Sequence, residues 1–306
     1  MYLSPAFRRR TDEELKFLGY LDGRTGFSLF WIDVIRPLLC HVRARDLLEI
    51  GAHDGALTEL LVQYCESVGG NVAAVEPVES VSLRRLASRS PKLTLLMEKS
   101  ETAIPKICSP VDAVFLEGDI NYYTARNDVS AIDGLAKRTN TGFPIVFVKN
   151  TCWPYARRDM YYDPEGIPER ERHEHARSGM SPWQAGLEAG MINYPFANSK
   201  EEGGPRNGIL TAIQDFMNES ALDLQLFSLP INHGLGILYS KGLSASEFIK
   251  MNLAPPENIL QFLETCEIAR INEIIRRIKH ERGRPRLRFL GHIWKSASRL
   301  FLHSSR

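Results

Sequence analysis

Five short apolar runs between residues 46 and 150 constrain this chain more than any other feature. They are DLLEI (46–50), NVAAVEP (71–77), LTLLME (93–98), VDAVFLE (111–117) and PIVFVKN (144–150). Each has the length of a strand, and each is apolar almost throughout rather than alternating, so both of its faces must be covered. Helical patterns fall between them, ALTELLVQYCESV (56–68) and VSLRRLAS (81–88), followed by SETAIPKI and the longer segment 121–138. Strands alternating with helices predict a doubly wound, Rossmann-like α/β fold with a parallel sheet. Two later strands, LDLQLFSLP (222–230) and GLGILYSK (234–241), are joined by the short turn INH and predict an antiparallel pair at the sheet edge.

The chain divides by pattern into three regions. Residues 1–44 read as lead-in helices, with Phe27, Phe30, Trp31, Val34, Ile35 and Leu38 at helical spacing. Residues 45–243 hold the sheet, interrupted at 150–206 by an insert rich in Pro, Gly, Arg and aromatics, with a short helical pattern at Trp183–Ala189. An insert of that length in a compact domain is expected to carry function. Residues 244–306 read as a helical tail. ENILQFLETCEIARINEIIRRIKHER (257–282) places Leu260, Leu263, Ile271, Ile274, Ile275 and Ile278 on one stripe, and Leu290, Ile293, Trp294, Ala297, Leu300 and Phe301 share a face after the break at Gly283 and Pro285.

Charge sharpens this division. The net charge is +1, yet residues 276–306 carry ten Lys/Arg against the single acid Glu281, which leaves the body acidic. A basic amphipathic tail suits an anionic membrane surface, or a homodimer contact through the C-terminal helices; its large apolar face and the lack of a recognised motif argue against nucleic acid. No apolar run is long enough to span a bilayer and no signal-peptide core precedes the body. The five cysteines stand far apart without CxxC pairs, as reduced thiols do, and this predicts a cytoplasmic location, extending to the periphery of the inner membrane face if the tail binds lipid.

The chemistry is most legible in LLEIGAHDGALTE (47–59). An acid, Glu49, ends a strand; Gly51 turns the backbone where a side chain would collide with a ligand; Gly55 lets the next helix approach. Glu76, ending the second strand in AVEP, is placed to accept hydrogen bonds from ribose hydroxyls. With these residues the chain resembles, over about residues 30–240, the class I S-adenosylmethionine-dependent methyltransferases, whose first motif E-I-G-x-x-x-G matches Glu49–Gly55 and whose second-strand acid matches Glu76. The resemblance implies a seven-stranded sheet with an antiparallel last strand. It also implies S-adenosylmethionine as cofactor, held by Glu49, Gly51, Ala52, Gly55, Glu76, Ser100, Glu117 and Gly118.

A narrower similarity follows. FLEGDINYYTARNDV (115–129) resembles the F-[ILV]-[DE]-G-D-H-x-Y signature of the macrocin O-methyltransferase-like, glycan-associated bacterial subfamily, as do WPYARRDMYYDP (153–164) and EGGPRNGILTAIQDF (202–216). It implies an O-methyltransferase acting on a hydroxyl of a sugar or surface-glycan precursor, with the insert as a lid. Tyr155, Tyr161 and Tyr162 would wall the acceptor, while Arg157, Arg158 and Arg206 would grip anionic or hydroxyl groups. Asp159 would orient one of the arginines. The chain departs from its relatives at Ile120, where they carry His, and at Lys149 and Asn150, where they often carry His-Asp; a lysine there argues against a divalent metal. The catalytic candidates are therefore Asp119, Lys149 as a stabiliser of alkoxide or a partner of Asp119, and His233 as general base, with His173 and His175 as rivals. Two other readings share these motifs: a binding or scaffold protein that kept the fold without the chemistry, and a small-molecule O-methyltransferase of secondary metabolism.

Overall fold

A computed structural model describes residues 26–283 apart from 79, 195 and 243. The basic segment 284–306 and the first part of the lead-in region, with the membrane and dimer expectations attached to them, lie outside the described residues.

The five predicted strands form as β1 (Asp46–Ile50), β2 (Asn71–Val75), β3 (Leu93–Leu96), β4 (Ala113–Leu116) and β5 (Ile145–Lys149), all parallel to their neighbours in this set. The insert adds β6 (Met160–Tyr161), β7 (His175–Arg177), β8 (Gly179–Met180), β9 (Leu187–Glu188) and β10 (Ala197–Ser199), all short. The chain then returns to the main sheet with β11 (Leu224–Leu229) and β12 (Leu235–Ser240). The sheet order is β11-β12-β5-β4-β1-β2-β3. β12 enters between β5 and β11 and runs antiparallel to both, so the expected seven-stranded sheet with one reversed strand is present.

Alternate residues of each strand feed opposite cores, which is why the strands are apolar throughout. Leu47, Phe115 and Phe147 point into one layer, with the helix Ala56–Val68 and the segment 26–42. Leu48, Val114, Val146 and Val148 point into the other, with the helices Tyr122–Arg138 and Ile209–Glu219. The 121–138 segment is thus one 17-residue helix, capped by Asn121, whose side-chain oxygen accepts from the Thr124 amide at 2.8 Å. The lead-in region is no separate unit over its described part: Phe27, Phe30, Trp31, Ile35 and Leu38 are buried in the first core.

Two expectations change. No helix forms at 183–189; Pro182, Gly186 and Gly190 interrupt it, and β9 pairs with β8 instead. The helix Glu257–Gly283 does form, but Ile271 and Ile275 of its stripe are buried against Met191 and Ile192 of the insert, so the helix clasps its own chain.

Candidate active site

The strand order reverses between β1 and β4, and in open α/β sheets the carboxyl ends flanking that point form the ligand crevice. Gly51, directly after β1, has φ +87°, and a Cβ there would lie 2.7 Å from the Gly118 Cα and closer still to the Glu117 carbonyl. Only glycine allows the two strand ends to touch. Gly55 (φ +85°) starts the helix Ala56–Val68 and packs against Leu83. Ala52 is buried beneath this turn, its amide reaching the Val75 carbonyl at 3.3 Å.

Four of the predicted carboxylates gather at these strand ends. Glu49 is 2% exposed and accepts from the Thr58 hydroxyl at 2.6 Å. Burial, then repulsion from Glu117, Glu76 and Asp54 beyond what the Thr58 bond offsets, pushes its carboxyl up to about 8. Glu76 accepts from the His53 amide at 2.8 Å and the Val78 amide at 3.0 Å. Burial raises Glu117 as well, against the opposing charges of Lys149 and His53, and Asp119 is raised by burial against Lys99. Tyr162, from the insert, joins them: burial and then Asp119, Glu117 and Glu76 hold its phenol above the ordinary range. A set of crowded acids at one crevice is an electrostatic complement for a cationic ligand.

Ser100 starts the short helix Ser100–Ala103 and hydrogen-bonds the buried Asp128, whose carboxyl burial raises to about 7. A Cβ built on Gly118 would lie 4.0 Å from a carboxylate oxygen of Asp128, a residue the sequence did not single out.

Lys149 corrects an expectation. It does not pair with Asp119; its ammonium donates to the Asn232 carbonyl at 2.7 Å and the Gly234 carbonyl at 3.4 Å, and sits 5.0 Å over the Phe30 ring. Burial lowers it to about 8, with Glu117 the largest offsetting charge. Its hydrogen bonds bracket His233, which stands at φ +66° between those two residues. Glu267, from the helix Glu257–Gly283, accepts from the His233 amide at 3.0 Å. Burial would raise this carboxyl, but Arg270 and the backbone of His233 and Asn232 outweigh it and hold it at about 2. The His233 Nδ1 is 3.3 Å from the Trp153 carbonyl, which can only accept, so Nδ1 carries the proton and Nε2 the lone pair. Burial and the nearby Arg270 lower its pKa. Glu267 has no local sequence signal, since its partner is 34 positions away.

The insert residues separate into framework and surface, and this is the second correction. Arg158 has no exposed surface and is spent on the Ser199 and Ala185 carbonyls, so it cannot meet an acceptor. Asp159 accepts from the Tyr122 amide at 2.7 Å, the Gly208 amide at 2.8 Å and the Tyr161 hydroxyl at 2.9 Å; it orders backbone rather than an arginine. Tyr161 is buried in that network, and Tyr155 is buried with its hydroxyl on Asn198 at 3.0 Å. Arg157 bonds Thr211 at 2.9 Å and Gln214 at 2.5 Å, and Arg206 pairs with Glu171 and lies 5.9 Å over the Tyr122 ring. His175 contacts the Tyr161 ring, and His173 Nε2 lies 2.8 Å from the Arg206 carbonyl. Of the predicted acceptor residues, Tyr162 alone is brought among the crevice acids.

Among the described residues no three His, Cys, Asp or Glu side chains come together in a way that could hold a metal ion. No described helix is long and apolar enough to cross a membrane.

No family model matches the chain, and no curated protein matches it. Solved structures similar to it include a putative caffeoyl-CoA O-methyltransferase from Staphylococcus aureus (11% identity, 76% of this chain and 93% of that one, TM-score 0.46). A methyltransferase from Podospora anserina is similar at 13% identity (77% and 91%, TM-score 0.44). A sugar N-methyltransferase from a Streptoalloteichus species is similar at 15% identity (78% and 98%, TM-score 0.40).

Proposed function

We propose that the chain is an S-adenosylmethionine-dependent methyltransferase that methylates a hydroxyl group of a sugar or glycan precursor. The observation that carries the cofactor assignment is the left-handed Gly51 turn, which no Cβ can enter, set at the switch point among Glu49, Glu76 and Glu117. The residues fit the group. Burial and then repulsion from Glu117, Glu76 and Asp54 raise Glu49 to about 8, a cost that a cationic ligand relieves, and S-adenosylmethionine carries a sulfonium and an ammonium. Glu76 would hold the ribose hydroxyls, the Gly51–Gly55 turn would carry the amino-acid end, and the loop at Ser100 would flank the adenine. When bound, the cofactor supplies a methyl group activated by the sulfonium.

His233 then acts as general base. Its Nε2 lone pair accepts the acceptor hydroxyl proton, and Lys149, Glu267 and the Trp153 carbonyl fix the ring and its tautomer. Tyr162 hydrogen-bonds the acceptor above the acids. Lys149 is thus a positioning residue, which explains why a lysine can stand where relatives carry a metal ligand. The sugar acceptor is supported by the similarity of FLEGDINYYTARNDV and WPYARRDMYYDP to glycan-modifying enzymes. The test is calorimetry with S-adenosylmethionine, followed by mass-spectrometric detection of S-adenosylhomocysteine when bacterial glycan precursors are added. A folded protein with no saturable cofactor binding overturns the assignment.

A further inference from the structure

The insert carries a second concavity that the strand-end site does not use. It is a shallow, solvent-open depression of about 400 Å³, lined by Trp153, Arg157, Trp183, Gln184, Glu202 and Gly203 among others. Trp183 is 67% exposed, the most exposed aromatic ring among the large hydrophobic side chains of the described residues, on a protein whose other described tryptophans are largely covered. An indole held in water beside a cleft costs solvation free energy that a ligand recovers.

The cleft is built on a stiff floor. Arg158, wholly buried beneath it, ties the Ala185 and Ser199 carbonyls together, and the Glu202 amide donates to the Ala185 carbonyl at 3.1 Å. The Gly203 amide donates to the Arg157 carbonyl at 2.7 Å, and a Cβ built on Gly203 would meet nothing within 4 Å, so the space above it is open. Glu202 is paired with Arg158 at 3.7 Å.

The polar groups narrow the occupant. Both terminal nitrogens of Arg157 already donate, to Thr211 and Gln214, and Arg158 lies under the floor, while the Glu202 carboxylate lining the same cleft disfavours a phosphate or a carboxylate. What remains is an exposed indole face, a carboxylate and a primary amide. A pyranose ring presents this complement: one face of C–H groups for the indole, and an edge of adjacent hydroxyls for planar carboxylate and amide groups.

We propose that this cleft binds a neutral pyranose ring, stacked on Trp183 with its hydroxyls on Glu202 and Gln184. That the ring belongs to the methyl acceptor rests on the function proposed above; ring binding itself does not. On that reading the cleft holds a sugar unit remote from the reacting hydroxyl, because Trp153 links it to the His233 loop through the 3.3 Å contact of its carbonyl.

The test follows tryptophan emission of the full chain during titration with methyl glucoside, methyl N-acetylglucosaminide, methyl glucuronide and adenosine, with cofactor binding measured separately by calorimetry. A saturable blue shift with a neutral glycoside is expected. Trp183→Ala should abolish it with thermal stability and S-adenosylmethionine binding unchanged, and Glu202→Gln should weaken it at least tenfold with S-adenosylmethionine binding unchanged. No saturable shift with either neutral glycoside, a shift that persists in Trp183→Ala, or a response to adenosine or the glucuronide alone would overturn the proposal. Glycoside binding without cofactor binding would leave the cleft standing and remove the methyltransferase reading; the reverse result would do the opposite.

Discussion

Glu49→Gln tests whether the crevice is strained for the sake of a ligand. In the folded protein burial and neighbouring acids hold the Glu49 carboxyl at about 8, against an ordinary value of 4.5. At pH 7 the unfolded chain is ionised there while the folded chain must retain a proton. One pKa unit corresponds to about 1.4 kcal/mol, so folding is penalised by up to about 3 kcal/mol at that pH. Because the folded-state pKa is the higher one, stability is full below about 4.5 and declines as pH rises towards 8. Glutamine keeps an oxygen for the Thr58 hydroxyl, bonded at 2.6 Å in the parent, and removes the ionisation. The variant should therefore match the parent near pH 4.5 and exceed it by about 2–3 kcal/mol at pH 7, roughly 5–10 °C in Tm for a chain of this size. Denaturant unfolding at a series of pH values reads the gap directly. Because Glu49 is protonated in the free folded chain at pH 7, the same substitution should weaken S-adenosylmethionine binding most clearly above about pH 8, where the parent carries a negative charge that glutamine lacks. A gap that does not widen with pH, or a variant less stable than the parent at pH 7, would refute the reasoning.

Gly51→Ala should lower stability by about 2 kcal/mol or more, from the left-handed backbone and the contact with Gly118, and calorimetry should show cofactor binding lost by at least a hundredfold. Arg158→Met should destabilise by about 2–4 kcal/mol in urea unfolding, because the Ser199 and Ala185 carbonyls lose their partner, whereas Arg157→Ala should cost less than about 1 kcal/mol. Equal losses for the two arginines would contradict their different burial. His233→Gln should reduce kcat by about a hundredfold to ten-thousandfold with cofactor Kd unchanged. Burial lowers the parent imidazole, so the acid limb of its kcat/KM profile should fall below 6.5; a limb above that value would exclude His233 as the base.

The two arginines show why some of the site could be read early and some could not. Adjacent in sequence and identical in chemistry, they looked equivalent. The fold buries Arg158 against backbone carbonyls 27 and 41 positions away and leaves Arg157 on the outer side of the insert. Lys149 is similar: the family resemblance offered it as an alkoxide stabiliser or a partner of Asp119, but the turn between β11 and β12, 83 positions later, brings the Asn232 carbonyl to its ammonium. Glu267 could not be found at all, because nothing in its own helix marks it as the partner of the His233 amide.

Local constraints explain what the sequence did determine. Strand-length apolar runs can only be buried on both faces, and that demands a parallel sheet with two helical layers. A glycine after an acid-bearing strand announces a left-handed turn at a ligand edge, since φ +87° is open to glycine alone without strain. The strand ends carrying Glu49, Glu76, Glu117 and Lys149 were therefore legible. Tertiary structure decided the rest, because buried charge is settled by whichever groups the folded chain delivers. Whether a carboxylate meets an amide, or an arginine meets solvent, depends on segments distant in sequence, and pairing energies in a dry interior are too large for local preference to override.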